Sequence, residues 1–216
     1  MTHTAHMSRR LWLALAASAP IAGLAGLAHA APTDDALKSI KDARVGLTSL
    51  SAKFTQIRRV GLLADEVKST GELTLVMPDQ LRWELFAPDD IVYWVTSKGV
   101  AYKSKNSAKA AHAPAGAFGS LLPDLIGFLG GDLTPLKARY AFTATSETDG
   151  SVTVVATPTE EKIKQALKKL TMRTNSERWG ISKVVIEEPK GDSSTITFEA
   201  NQKNPKVDAT KMKPPA

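Results

Sequence analysis

The stretch TGELTLVMPDQLRWELFAPDD, Thr70 to Asp90, contains two alternating runs joined by a proline turn and stopped by a second proline. Leu73, Leu75 and Met77 share one face of the first run, and Leu81, Trp83 and Leu85 share one face of the second. Successive strand residues point to opposite faces, so this spacing predicts two half-buried antiparallel strands, each with one apolar side. Those sides need a large apolar partner, which is either protein or something the protein carries.

The flanking sequence extends the same pattern. Upstream, Thr33 can cap a helix with Asp34 and Asp35 in its first turn, and Leu37, Ile40, Arg44 and Leu47 follow helical spacing. Arg44 is expected to snorkel from the edge of that stripe. Leu50, Ala52 and Phe54 then alternate with polar residues as a strand. Downstream, residues 91–106 read as a strand, a Lys98-Gly99 turn and a return strand, and residues 104–119 read as a long polar loop.

The segment SLLPDLIGFLGGDL follows, with Leu121, Leu122, Leu125, Ile126, Phe128 and Leu129 on nearly every face of a short helix and Asp124 as its one internal charge. A helix apolar all round must be buried in a core or cover an apolar surface. The remainder reads as β: a hairpin about Asp149-Gly150, one helical turn and then a strand within residues 160–172, and a hairpin turning through Pro189 to Asp192. Residues 204–216 read as a polar, basic tail, too polar to build a core of its own.

The chain of 216 residues begins with Arg9-Arg10, an apolar stretch and Ala28-His29-Ala30, the pattern of a cleavable signal peptide over residues 1–30. Pro20 and the small residues make a poor spanning helix. The arginine pair suits a twin-arginine export signal and an ordinary secretory leader alike. The mature part, residues 31–203 plus the tail, has no cysteine. An exported domain of that composition must hold together by its core alone. The formal net charge of +6 is modest and scattered, which argues against nucleic acid as a partner.

The residue inventory also disfavours catalysis. Of four histidines, His3, His6 and His29 fall in the leader, leaving His112 in the predicted loop. One histidine there makes neither a nucleophile–His–acid triad nor a zinc site. Asp89-Asp90, Glu160-Glu161 and Glu187-Glu188 are adjacent in sequence, and neighbours on a strand diverge rather than converge on one bond. The expectation is a protein that is not an enzyme and has no cofactor and no metal.

The order of these pieces resembles the LolA-type lipoprotein carriers of the Gram-negative periplasm. The resemblance rests on Phe54-Thr55-Gln56, Gly71-x-Leu73, Pro78, Leu81-Arg82-Trp83-Glu84 with Pro88, and TITFEANQKN at 195–204. It implies an α+β fold: an incomplete, half-open, curved antiparallel β-barrel with helices plugging the concave side. It implies a monomeric carrier of acylated lipoproteins or lipids, loaded by an inner-membrane release complex and unloaded at an outer-membrane receptor. On this sequence the cavity wall would comprise Phe54, Leu73, Leu75, Met77, Leu81, Trp83 and Leu85. The lid helix would present Leu122, Leu125, Ile126, Phe128 and Leu129. At the position of Met77 the family has an arginine that hydrogen-bonds the plugging helices, and methionine cannot donate such bonds. A carrier of another lipid or glycolipid, and a sensor that binds lipoproteins without transfer, are alternatives on the same scaffold.

Overall fold

The computed structural model describes residues 32–61, 66–96, 99–107, 109–112, 124–130 and 132–215. The expected leader, the expected lid residue Leu122 and all of residues 113–123 lie outside these residues.

The N-terminal helix α1 (Pro32–Ala43) has Asp34 and Asp35 in its first turn and buries Ala36 and Ile40 against the sheet. Acids at a helix N-terminus complement its dipole. Among the described residues, eleven strands follow in one antiparallel sheet: β1 (Ser49–Arg59), β2 (Val67–Val76), β3 (Gln80–Leu85), β4 (Ile91–Thr96), β5 (Gly99–Ser104), β6 (Ala111–His112), β7 (Tyr140–Ser146), β8 (Val152–Pro158), β9 (Lys169–Thr174), β10 (Ile181–Glu187) and β11 (Ser193–Lys203). A short helix, α2 (residues 124–130), and a 3-10 turn (Thr134–Ala138) lie between β6 and β7. One helical turn, α3 (Glu161–Lys164), precedes β9.

The spatial order is β6-β5-β4-β3-β2-β1-β11-β10-β9-β8-β7. Two meanders are thus joined by the pairing of the first strand with the last. That long-range pair brings Phe54 opposite Phe198 and Gln56 opposite Ile196. It also leaves β6 and β7 as the two edges of an open, curved sheet. The segment linking those edges carries α2, and α1 packs on β7 and β8. Both helices therefore belong to the open side, as the resemblance implied.

Register follows the alternation of residues 70–85. Leu73 pairs with Trp83 and Leu75 with Leu81, so the apolar positions of both strands share the concave face. A Cβ at Gly71 would lie 2.0 Å from the Glu84 carbonyl oxygen and 2.4 Å from Phe54 Cζ, so this glycine makes room for the Phe54 ring. The core is one contiguous cluster that contains both the sheet's concave residues and those of α2.

Two expectations need correcting. Residues 104–119 are not all loop, because Ala111 and His112 pair with Tyr102 and Ala101 as the edge strand β6. The tail also takes part in burial. The Asn204 side chain accepts from the backbone N–H of Thr48 at 2.8 Å and donates to the Gly46 carbonyl at 2.9 Å. Further on, the Trp94 indole donates to the Lys211 carbonyl at 2.8 Å, and Met212 is 5% exposed. Trp94 points away from the concave face, and the tail gives it cover and an acceptor.

Candidate functional site

Phe54, Leu73, Leu75, Leu81 and Trp83 all lie on the concave face and are buried, with Leu85 partly so. Phe54 packs at 4.4 Å between ring centroids from Trp83, and Phe198 of β11 joins both at 6.0 Å. Of the expected lid residues, Leu125, Phe128 and Leu129 are buried in the same cluster and Ile126 is half-buried. Phe128 packs edge-on against Tyr140 at 5.5 Å and near Phe142 at 6.0 Å, both on the inward face of β7. A Cβ at Gly130, at the other end of α2, would touch the Met77 methyl at 3.0 Å. The helix thus spans from the β7 edge to the β2–β3 turn, and it closes the core.

Beside it lies a cavity of about 590 Å³ bounded by Met77, Pro78, Thr96, Ile126, Gly127 and Leu136. Asp79 and Asp132 are the two acidic residues lining it, and Asp132, bonded by Thr134, is held below the usual carboxylate range. Of the residues singled out in the sequence, Met77 and Ile126 line this open space. Phe54, Leu73, Leu75, Leu81, Trp83, Leu125, Phe128 and Leu129 belong instead to the buried core cluster.

Among the described residues, two charged side chains are buried, Arg44 at 6% exposure and Asp124 at 4%, and both hold α2. Asp124 Oδ2 accepts from the Tyr140 hydroxyl at 2.5 Å and Oδ1 accepts from Arg139 Nη1 at 2.5 Å. Burial raises the Asp124 carboxyl above its ordinary value, against the opposing pull of Tyr140 and Arg139. The Tyr140 phenol is raised in turn by burial and by that carboxylate. At the far end of the helix, Arg44 Nη1 donates to the Phe128 carbonyl at 3.2 Å and Nε donates to the Trp179 carbonyl at 3.1 Å. Burial lowers the guanidinium to about 10, so it remains cationic at neutral pH.

Arg44 does not snorkel, because two backbone carbonyls accept from it inside the core. It supplies from the end of α1 the hydrogen bond to the plugging helix that the resemblance placed at the position of Met77. The signal was visible in the sequence as a charge at a stripe position four residues after Ile40. The network of Asp124, Arg139 and Tyr140 was signalled by the single charge inside an apolar helix, but its partners lie 15 and 16 residues away.

The site is thus an apolar half-barrel closed by a short helix, with a cavity alongside. The model of the family described as outer membrane lipoprotein carrier protein LolA matches residues 46–214, and the chain belongs to that family. No curated protein matches the chain in sequence. In structure it is similar to a DUF1329 family protein from Desulfovibrio piger, with a TM-score of 0.54, 8% identity, and coverage of 85% of this chain and 98% of that one. It is also similar to a LolA superfamily protein from Nitrosomonas europaea (TM-score 0.47, 8% identity, 85% and 98% covered). A further likeness is to the MucA/MucB complex of Pseudomonas aeruginosa (TM-score 0.46, 14% identity, 85% and 61% covered). At such identities the likeness is one of fold.

Proposed function

We propose that the protein is a periplasmic carrier that takes lipoprotein acyl chains into the space beside and beneath α2 and ferries them from the inner to the outer membrane. The observation that carries this reading is the cavity of about 590 Å³, apolar in most of its lining and bounded by a helix that shares its core with the concave wall. Its size lies in the usual range for small-molecule sites. Membership of the lipoprotein-carrier family supports the same reading.

Magnitudes make exchange of partners plausible as a mechanism. An acyl chain gains about 0.8 kcal/mol for each CH₂ it buries. Hydrogen bonds to charged groups contribute about 1.5–3 kcal/mol each. Three such ties hold the two ends of α2, so roughly six to eleven buried CH₂ groups offset their release. The wall would then face lid when empty and lipid when loaded, with no chemical step required.

The test is release of a labelled lipoprotein from inner-membrane vesicles into the soluble fraction. The protein is expected to release it, and Ile126→Glu, a charge on the half-buried cavity side of α2, is expected to reduce release by about tenfold or more. No release by the unaltered protein would sink the carrier reading. Release without delivery to outer-membrane vesicles would replace it with a holder that does not transfer.

A further inference from the structure

Arg44 is more than a tie for α2. Its guanidinium is buried, yet among the described residues no carboxylate pairs with it, and its acceptors are two neutral carbonyls. Its second terminal nitrogen, Nη2, is buried without any hydrogen-bond partner. A buried donor on a cation left unpaired is costly, and such groups in native proteins call for an explanation. The carbonyl that Nη1 holds belongs to Phe128, and Gly127 and Gly130 on either side of it line the cavity. The guanidinium therefore grips the very turn that forms a wall of the cavity.

We propose that Arg44 is the polar anchor of the cargo: when the last turn of α2 withdraws, Nη1 and Nη2 together bind the carbonyl oxygen at the head of an acyl chain. This rests on the carrier reading and adds to it a chemical class, lipids whose chain ends in a carboxylate, ester or amide. The physical reason is the shape of the group. Nη1 and Nη2 form a planar fork that matches the two oxygens of a carboxylate, or brackets one carbonyl oxygen. In the closed state one tine is occupied by Phe128 and the other is empty. Loading would fill both, while the chain itself takes the apolar space left by Phe128 and Leu129. The anchor would thus exchange a backbone carbonyl for a lipid carbonyl, so opening the lid does not strand the buried cation.

The experiment compares three probes with the same chain: dodecanoate, methyl dodecanoate and dodecanol. Each is titrated by displacement of a fluorescent reporter from the purified protein, from Arg44→Met and from Arg44→Lys. The unaltered protein is expected to prefer dodecanoate over dodecanol by about tenfold or more, the scale of a hydrogen bond to a charged group. Arg44→Met is expected to keep dodecanol binding, or tighten it, while the preference falls to near unity. Loss of a lid tie alone changes all probes by the same factor, so the ratio isolates the anchor.

If methyl dodecanoate loses affinity together with dodecanoate, the anchor reads an acyl carbonyl, as in an ester-linked lipid. If dodecanoate alone loses affinity, it reads a free carboxylate. An unchanged ratio in Arg44→Met, or no preference in the unaltered protein, overturns the anchor and leaves the carrier reading standing. Failure of all three probes to bind the unaltered protein overturns both. Should Arg44→Met fail to bind dodecanol, Arg44→Lys decides, since it keeps the charge and loses the fork: a fallen ratio supports the anchor and an unchanged one refutes it.

Discussion

Asp124 ties α2 to β7 through a buried carboxyl group. Its carboxylate sits among apolar side chains and is held by Tyr140 and by Arg139, which also reaches Glu160 at 3.2 Å. Desolvation outweighs those partners and raises the carboxyl, so the native state keeps its proton to a higher pH than the unfolded chain does. Stability from this group is then fully present at low pH and is lost as pH rises through the raised value. Urea midpoints measured from about pH 4 to about pH 7 are expected to fall for the unaltered protein relative to Asp124→Asn. A constant difference across that range would show that Asp124 ionises normally. Arg44 is the complementary case: a permanent cation whose burial is offset only in part, by carbonyl acceptors at Nε and Nη1 rather than by a counter-charge, with Nη2 left without a partner.

Among the elements, β2 sets how deep the concave wall can be. Gly71 sits on its inward face, directly under the ring of Phe54 on β1, and that ring reaches Trp83 on β3. A methyl group at Gly71 would collide with a backbone carbonyl as well as with the ring, and the carbonyl cannot turn aside as a side-chain end could. Gly71→Ala is expected to cost about 1–3 kcal/mol in denaturant unfolding, the usual scale of overpacking. An unchanged midpoint would mean that Phe54 does not lie where the wall assignment requires. The contrast is Gly130, whose added Cβ would meet the flexible end of Met77. The α2 contact is soft where the wall is hard, as the proposed carrier function would need.

For the whole molecule, the pairing of β1 with β11 decides the architecture. It turns two meanders into one sheet, puts the open edges at β6 and β7, and obliges the connection between them to pass the open side. The same closure brings the C-terminal tail to the outer face of β4. Removing residues 206–216 would take away the Lys211 carbonyl and Met212, and uncover Trp94. The expected loss is about 2 kcal/mol or more, the scale for deleting a buried methionine side chain, read from the urea midpoint. No loss would return the tail to the role of an unattached appendage that its composition suggests.

Much of this was legible from residue types and spacing. The period-2 alternation of Leu73, Leu75, Leu81, Trp83 and Leu85 determined which face of each strand is apolar, because a strand offers its side chains only two directions. Asp149-Gly150 determined a hairpin, since its turn needs positive φ and Gly150 adopts +87°. The apolar surround of residues 124–130 determined that this helix must be covered or must cover something. Other features lay beyond local spacing. Arg44 could be read as a surface residue because its acceptors, Phe128 and Trp179, are 84 and 135 positions away. Ala111 and His112 lack strand character of their own and become a strand through β5, while Met212 is buried although its neighbours are lysines. Short-range periodicity is written in the chain because backbone geometry enforces it locally. Which buried charge meets which carbonyl, and which cavity is left beside α2, are decided by contacts between distant segments, and those exist only once the sheet has closed.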